Sequence, residues 1–143
     1  KHSFIIAVGT TSLRTMETLY WLGVKVSLGM EQPLTLHQWE VYSKPLSDTN
    51  LTLEESMKHL LAYMVAEKLQ HIYTQTHIMI VPGYSFRTAK ALITNFHQPQ
   101  STLLLLVAAA IGDDWKKVYE YALNHDYRFL SYGDGSLLYL HQG

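Results

Sequence analysis

The sequence predicts an α/β fold with a mixed or mostly parallel sheet, flanking helices and a C-terminal β-hairpin. Short apolar runs ending at Gly or Pro-Gly alternate with segments of helical periodicity, a pattern typical of buried strands followed by helices. Near the C-terminus, Gly133-Asp134-Gly135 separates two segments of strand character, 127–132 and 136–140, which predicts a hairpin. With 143 residues, 48% of them hydrophobic, we predict a single domain over 1–143.

The first elements are a strand, a tight turn and a helix. The unbroken apolar run 4–8 predicts a strand buried on both faces. Apolar residues then recur every three or four positions over 12–22, which predicts a helix, and Gly23 stands where a left-handed cap would end it. Residues 24–44 mix β-forming residues with Pro and Gly and predict one or two short strands.

The second helix has the clearest N-terminal signal in the chain. Thr52 and Glu55 match a capping box, and an apolar face repeats over 53–70. After this helix, the run 77–81 predicts another short buried strand, ended by Pro82-Gly83.

The elements before the hairpin are a strand and two helices. Residues 91–94 predict the strand, and 101–111 are apolar almost all round, which predicts a helix enclosed by its neighbours. Asp113 is expected to cap a further helix over 114–124.

Composition excludes several classes of protein. The 11 Lys and Arg balance 12 Asp and Glu, so the chain lacks the strongly basic charge of a self-sufficient nucleic-acid binder. There is no cysteine, and the eight histidines show no metal-ligand spacing, so we expect no metal site. The apolar run 103–111 is too short to cross a bilayer, and we expect no membrane partner and a cytoplasmic location. Because the chain opens without Met and runs directly into a strand, we expect a piece of a longer protein.

A first polar cluster follows the first predicted strand. Thr10, Thr11 and Ser12 lie where the next helix would direct its N–H groups and positive dipole end, and Arg14 could clamp a carboxylate or phosphate. The alternative is that the hydroxyls cap the helix and Arg14 is a solvated helix residue.

A second cluster, 82–87, follows the strand predicted over 77–81. Tyr84, Phe86 and Arg87 place two rings and a guanidinium together, a combination that suits a planar base and its phosphate. The alternative is a turn whose rings complete the core.

The densest polar cluster spans 94–102 and lies between two apolar segments. Asn95 can bind a base edge or an amide, and His97 titrates near neutrality, as a proton carrier requires. Thr94, Ser101 and Thr102 add hydroxyls. The alternative is that Asn95 closes a turn, Ser101 caps the next helix and His97 is a hydrogen-bonded bystander.

A fourth cluster, 126–134, ends in the predicted hairpin turn. Tyr132 and Asp134 supply a phenol and a carboxylate, although Asp in Gly-Asp-Gly is more often a turn former than a catalyst. The three arginines of the chain fall inside three of the four clusters, which favours a functional reading.

Four ordered blocks resemble one enzyme family. They read G-T-T-S-x-R-T at 9–15, P-G-Y-x-F-R at 82–87, A-L-I-T-N-F-H-x-P-x-S-T-L-L at 91–104 and Y-R-F-x-S-Y-G-D at 127–134. Together they are similar to the carboxyl-terminal part of the S-adenosylmethionine:tRNA ribosyltransferase-isomerases of queuosine biosynthesis.

The resemblance implies a reaction in which S-adenosylmethionine serves as ribosyl donor. The ribosyl moiety would be transferred and isomerised onto 7-aminomethyl-7-deazaguanine in the tRNA anticodon, giving epoxyqueuosine and releasing adenine and methionine. The implied partners are tRNA and the amino-terminal part of the same enzyme. The implied roles are anion binding at the first block, base binding at the second, orientation of donor or acceptor at the third, and proton transfer by His97 or Asp134.

The chain also departs from the family pattern. Lys90, Gln98 and Gln100 stand where the family usually has Asp, Leu and Lys. We expect 24–75, which includes the amphipathic helix, to be a family-divergent insertion. These differences leave an alternative open, a non-catalytic nucleotide- or anion-binding relative, and we expect the 143 residues by themselves to be inactive.

Overall fold

The computed structural model describes residues 4–141, which divide into two compact units. One unit combines the residues up to Leu13 with those from Met79 onwards, and the other is Arg14–Ile78. Within the described residues there are three strands and four α-helices: β1 Ile6–Val8, α1 Thr10–Ser27, α2 Leu53–Ala66, β2 Ala91–Asn95, α3 Thr102–Ile111, α4 Asp114–Asn124 and β3 Gly135–Tyr139. None of these helices is both long and apolar enough to cross a bilayer.

The sheet is mixed, with strand order β1-β2-β3. Strand β1 runs parallel to β2 with Val8 opposite Ile93, whereas β3 is antiparallel to β2 with Gly135 opposite Asn95. The prediction of an α/β fold is therefore confirmed in its coarse form. The carboxyl ends of β1 and β2 and the start of β3 consequently lie at the same edge of the sheet.

Among the described residues, strand β1 is buried on one face and exposed on the other, so the prediction of a first strand buried on both faces is wrong. Ala7 is 2% exposed, whereas Ile6 and Val8 on either side of it are 45% and 66% exposed. The apolar run gave the strand correctly but could not show whether the second face of the sheet is covered.

The predicted C-terminal hairpin does not form. Residues 127–132 are coil followed by a 3-10 turn, and β3 pairs with β2 instead. The backbone N–H of Arg128 donates to the Asp134 carboxylate at 2.8 Å, and the Asp134 N–H donates to the Arg128 carbonyl at 2.8 Å. These two bonds close a loop across six residues in place of a two-strand turn.

The predicted strand over 77–81 is also wrong, although its apolar residues are placed as expected. Ile78 and Ile80 are buried at 0% and 2% exposure, but residues 77–81 do not form a strand. A guanidinium N–H of Arg14 donates to the carbonyls of Thr76 and Ile78 at 2.7 and 3.1 Å. A side chain thus satisfies carbonyls that a neighbouring strand would otherwise satisfy.

Residues 24–44 contain no strand, so that prediction is wrong as well. A short 3-10 helix, Glu40–Tyr42, occupies the end of this stretch. The ammonium of Lys25, 3% exposed, pairs with the Glu40 carboxylate at 2.6 Å and donates to the Thr35 carbonyl at 2.6 Å. This buried ion pair, rather than β pairing, attaches the loop to α1.

Helix α1 extends beyond both predicted ends because Gly23 is not a cap. Gly23 lies inside the helix, where a Cβ would overlap the backbone of Ser56 at its carbonyl oxygen. The Ser56 hydroxyl, fully buried, donates to the Tyr20 carbonyl at 2.5 Å. Gly23 therefore permits α1 and α2 to approach closely.

Replacing Gly23 with Ala should destabilise the protein. Ala favours the helix intrinsically, but its Cβ has no space against the Ser56 backbone, so we expect a net loss of about 1–3 kcal/mol in the free energy of unfolding. Urea denaturation measures this loss, with His59→Ala on the exposed face of α2 as the control. Equal stability of Gly23→Ala and the control would contradict this packing.

The other predicted helices are confirmed, although α2 ends a few residues earlier than predicted. Thr52 Oγ1 accepts from the Glu55 N–H at 3.2 Å and the Glu55 carboxylate accepts from the Thr52 N–H at 2.8 Å, which is the predicted capping box. Ser101 caps α3, whose residues 106–111 are all buried. Asp113 precedes α4 as predicted but makes no capping hydrogen bond through its side chain.

Candidate active site at the sheet edge

Three of the four polar clusters lie at one edge of the sheet. The start of α1 follows β1, the segment 95–97 ends β2, and Asp134 directly precedes β3. Because β1 and β2 are parallel and β3 is antiparallel, these three points meet at the carboxyl edge of the parallel pair. Ligands of open α/β sheets bind at this edge.

Gly9 makes the connection from β1 to α1. Its N–H donates to the Ile93 carbonyl at 2.8 Å, and its φ of 89° lies in the left-handed region that glycine tolerates. Helix α1 begins at the next residue, so Thr10, Thr11 and Ser12 form its first turn. The N–H groups of a first turn have no partner within the helix, which makes this end of α1 suited to an anion.

Arg14 stands one turn further along α1, in the second compact unit. Its contacts with the carbonyls of Thr76 and Ile78 give the guanidinium a structural role there. An anion-binding role for Arg14 stays a prediction.

His97 is buried, and hydrogen bonds hold both its side chain and its backbone. It is 9% exposed, and its Nε2 lies 3.0 Å from the Thr94 hydroxyl, with the donor set by the tautomer. The His97 backbone N–H donates to the Tyr119 hydroxyl at 2.9 Å. Burial lowers the pKa of His97 from its ordinary 6.5, so the imidazole is neutral at pH 7 and able to accept a proton.

This lowered pKa predicts a pH dependence of stability. Because the folded protein holds the proton of His97 less tightly than the unfolded chain, its contribution is complete above pH 6.5 and is lost as the pH falls through the lowered pKa. We expect the urea midpoint to decrease between pH 7.5 and 5, and to decrease less in His97→Gln. An equal decrease in both proteins would contradict the burial of a neutral imidazole.

Aromatic rings hold the segment that carries His97. Phe96, 4% exposed, packs with ring centroids 5.4 Å from Tyr119, 5.6 Å from Tyr127 and 5.4 Å from Phe129. The Phe96 carbonyl also accepts from the Leu130 N–H at 3.0 Å. The end of β2 is therefore fixed to α4 and to the segment that follows it.

Asp134 closes the loop that begins at Arg128, as its two hydrogen bonds with that backbone show. Gly133 fits closely within the loop, because a Cβ there would overlap the Arg128 carbonyl. Tyr132 ends the 3-10 turn, and its side chain lies outside the described residues. The geometry gives Asp134 a positioning role and leaves proton transfer by this carboxylate as a prediction.

Some of the other residues of the third block match the functional interpretation made from the sequence, and others match the structural alternative. Asn95 ends β2 and is exposed, while Thr94 is 6% exposed and bonded to His97. Ser101 accepts from the Leu103 N–H at 3.1 Å as the cap of α3, and Thr102 is the exposed first residue of that helix. Lys90, Gln98 and Gln100, which we expect to depart from the family pattern, are exposed.

The second block enters the sheet from the opposite edge. It precedes β2, and the Lys90 N–H donates to the Ile5 carbonyl at 2.8 Å beyond the start of the paired strands. Tyr84 and Phe86 are buried with ring centroids 5.3 Å apart, and Arg87 is half-buried. Their burial agrees with the alternative in which the rings complete the core, and base binding by this block stays a prediction.

Sequence reasoning missed Tyr119, which binds the His97 backbone. Trp115 and Tyr119 are spaced by four residues on α4, with ring centroids 6.0 Å apart. That spacing could have identified the inward face of the helix, but not its partner. Burial raises the pKa of Tyr119, so its hydroxyl stays protonated at neutral pH.

Comparison with known proteins identifies the family. The profile of a family described as "Queuosine biosynthesis protein" matches residues 1–138. The chain belongs to this family. As a queuosine biosynthesis protein, it is 37% identical over 122 residues to an S-adenosylmethionine:tRNA ribosyltransferase-isomerase of Polynucleobacter asymbioticus, covering 76% of this chain and 35% of the relative. It is 57% identical over 65 residues to the Cereibacter sphaeroides enzyme of that name, covering 45% of this chain and 19% of the relative.

A solved structure supports the same assignment. The S-adenosylmethionine tRNA ribosyltransferase from Thermotoga maritima matches 94% of this queuosine biosynthesis protein with a TM-score of 0.54 and 29% identity, and the match covers 33% of that structure. The chain thus spans about a third or less of the length of the relatives described here.

Proposed function

We propose that this chain is the carboxyl-terminal portion of an enzyme that transfers and isomerises the ribosyl moiety of S-adenosylmethionine. The acceptor is 7-aminomethyl-7-deazaguanine in the tRNA anticodon, and the product is epoxyqueuosine, with adenine and methionine released. The observation that carries the proposal is the meeting of three family blocks at one edge of the sheet. The amino-terminal part of the enzyme and tRNA are the partners, and the function implies a cytoplasmic location.

The first turn of α1 binds a negatively charged group of a substrate. Thr10, Thr11 and Ser12 surround the positive end of the helix dipole, where the methionine carboxylate or a tRNA phosphate gains hydrogen bonds. Arg14 lies on the same helix, and its guanidinium donates to two carbonyls. We assign the anion to the first turn because the positive end of the helix dipole lies there.

His97 accepts the proton removed from the carbon next to sulfur. Its neutral imidazole and its hydrogen bond to Thr94 suit a base of fixed orientation. Asp134 acts through the loop that it closes, and Asn95, exposed at the end of β2, orients donor or acceptor. Thr94 and Tyr119 are positioning residues, because their contacts are with His97.

A chimeric enzyme tests the proposal. The matching part of the Polynucleobacter asymbioticus relative is replaced by this chain, and adenine release from S-adenosylmethionine is measured with precursor-containing tRNA. The proposal expects release that depends on that tRNA, with the unaltered relative as the positive control. A folded chimera that binds S-adenosylmethionine without releasing adenine would instead support the non-catalytic alternative, which the near-neutral charge and the substitutions at Lys90 and Gln100 favour.

A further inference from the structure

The sheet formed by β1, β2 and β3 leaves one apolar face largely exposed. All three strands belong to one compact unit. On the covered face, the side chains of Ala7, Leu92 and Leu138 are at most 5% exposed. On the other face, five large apolar side chains are between 40% and 66% exposed. They form the apolar patch discussed below and are Ile6, Val8, Ile93, Leu137 and Tyr139.

The register of the strands joins these side chains into one patch. Val8 pairs with Ile93, and Ile93 pairs with Leu137, so three apolar side chains form a row across the sheet. Ile6 and Tyr139 both pair with the residue two before Ile93, which places them in the next row of the same face. Paired side chains on one face lie about 5 Å apart. Monomeric proteins rarely expose large contiguous apolar patches, which commonly mark interaction surfaces.

The patch lacks the charges that a nucleic acid would require. None of the described strand residues on this face is Lys, Arg, Asp or Glu. Surfaces that bind nucleic acids are strongly positive because they contact phosphates. An apolar protein surface is therefore a better match for the patch than tRNA.

The patch extends to the candidate active site. Alternate residues of a strand point to the same face, so Asn95 lies on the same face as Ile93. Both are exposed, whereas Thr94 between them is buried on the other face and bonded to His97. Asn95 also ends β2, at the edge where the family blocks meet. A partner that covers the patch therefore lies next to Asn95.

The relatives contain a large part that could supply such a surface. The match covers 35% of the Polynucleobacter asymbioticus relative and 33% of the Thermotoga maritima structure, so about two thirds of each lies outside it. Parallel strands of α/β proteins commonly belong to sheets that are covered on both faces.

We infer that the apolar patch is the docking surface for the amino-terminal part of the enzyme, which forms a wall of the substrate site beside Asn95. The inference rests on the proposed function, which makes this chain the carboxyl-terminal portion. Docking removes the five apolar side chains from water and closes the sheet edge on the side that Asn95 faces.

Thiol labelling tests the inference, because the chain contains no cysteine of its own. Val8→Cys and Leu137→Cys each place a thiol on the patch, in different strands. Val65→Cys is the matched control, since Val65 lies on α2, outside the sheet, and is 71% exposed, against 66% for Val8. Each variant is treated with iodoacetamide as the 143-residue chain and as the chimeric enzyme. Peptide mass spectrometry follows the introduced thiol alone.

The 143-residue chain should react at all three positions at similar rates. In the chimeric enzyme, Val8→Cys and Leu137→Cys should react at least about tenfold more slowly, because covered thiols are inaccessible to the reagent. Val65→Cys should keep its rate. Unchanged rates at both patch positions in a chimera that releases adenine would overturn the inference and leave the proposed function intact.

Two other occupants give different results, and either would overturn the inference. Protection of the 143-residue chain that increases with protein concentration would assign the patch to a second copy. Protection of the chimera only after tRNA is added would assign it to tRNA. Labelling does not require catalysis, so failure of the proposed function is distinguishable. A chimera that protects the patch without tRNA but releases no adenine would support the docking surface and contradict the enzymatic function.

Discussion

His97→Ala in the chimeric enzyme is expected to lower the rate of adenine release by about 10²–10⁴-fold, the usual contribution of a general base. The imidazole is buried, neutral and bonded to Thr94, so no other described side chain bonded to it can replace it as proton acceptor. The initial rate at saturating S-adenosylmethionine and tRNA measures this loss.

Two comparisons separate catalysis from folding. His59→Ala, on the exposed face of α2, is the matched histidine control and should retain the full rate. Asp134→Asn keeps the shape of the loop but removes the charge, and we expect a smaller loss than in His97→Ala because Asp134 acts by positioning. A near-normal rate in His97→Ala would remove the assignment of this residue as the base.

Phe96→Ala is expected to reduce the free energy of unfolding by about 3–5 kcal/mol, as for other large-to-small substitutions of buried aromatic residues. The substitution removes the ring that contacts Tyr119, Tyr127 and Phe129. Since this ring fixes the end of β2, the loss should be concentrated in the unit that carries His97.

Urea denaturation of the 143-residue chain measures the effect of Phe96→Ala. Leu123→Ala is the control on α4, because Leu123 is 67% exposed, and we expect a change of less than about 1 kcal/mol there. A loss in Phe96→Ala no greater than in the control would show that the aromatic cluster does not hold the segment.

The sequence predicts those elements whose signals are local. The capping box at Thr52 and Glu55 and the apolar helix after Ser101 are confirmed because residues close in sequence create them. The same holds for β2, a short apolar strand with Thr94 and Asn95 at its end.

The wrong predictions share a physical cause. In each case, contacts with residues distant in the sequence determine the structure of the segment. Gly23 has the pattern of a cap, but Ser56 of α2 makes it a close-packing position. The segment 77–81 has the pattern of a strand, but Arg14 binds the carbonyls of Ile78 and of Thr76 just before the segment. Partners of this kind cannot be read from periodicity within one segment.

The candidate site shows the same division. The polar clusters at the ends of β1 and β2 could be located from the sequence, because ligands of α/β folds bind at strand ends. Tyr119 could not, since its contact with His97 depends on how α4 packs against Phe96. The proposed function comes from the family blocks in the sequence. The fold explains how blocks that are separated in the sequence can act together, because three of them meet at one edge of the sheet.

The central claim is that the start of α1, the end of β2 and Asp134 form one binding edge. Backbone amide chemical shifts of the 143-residue chain, recorded by nuclear magnetic resonance during titration with S-adenosylmethionine, test it most directly. We predict that the amides of 9–12, 95–97 and 134 shift together with a single dissociation constant. Shifts confined to one of these three segments, or to residues elsewhere in the chain, would contradict the account.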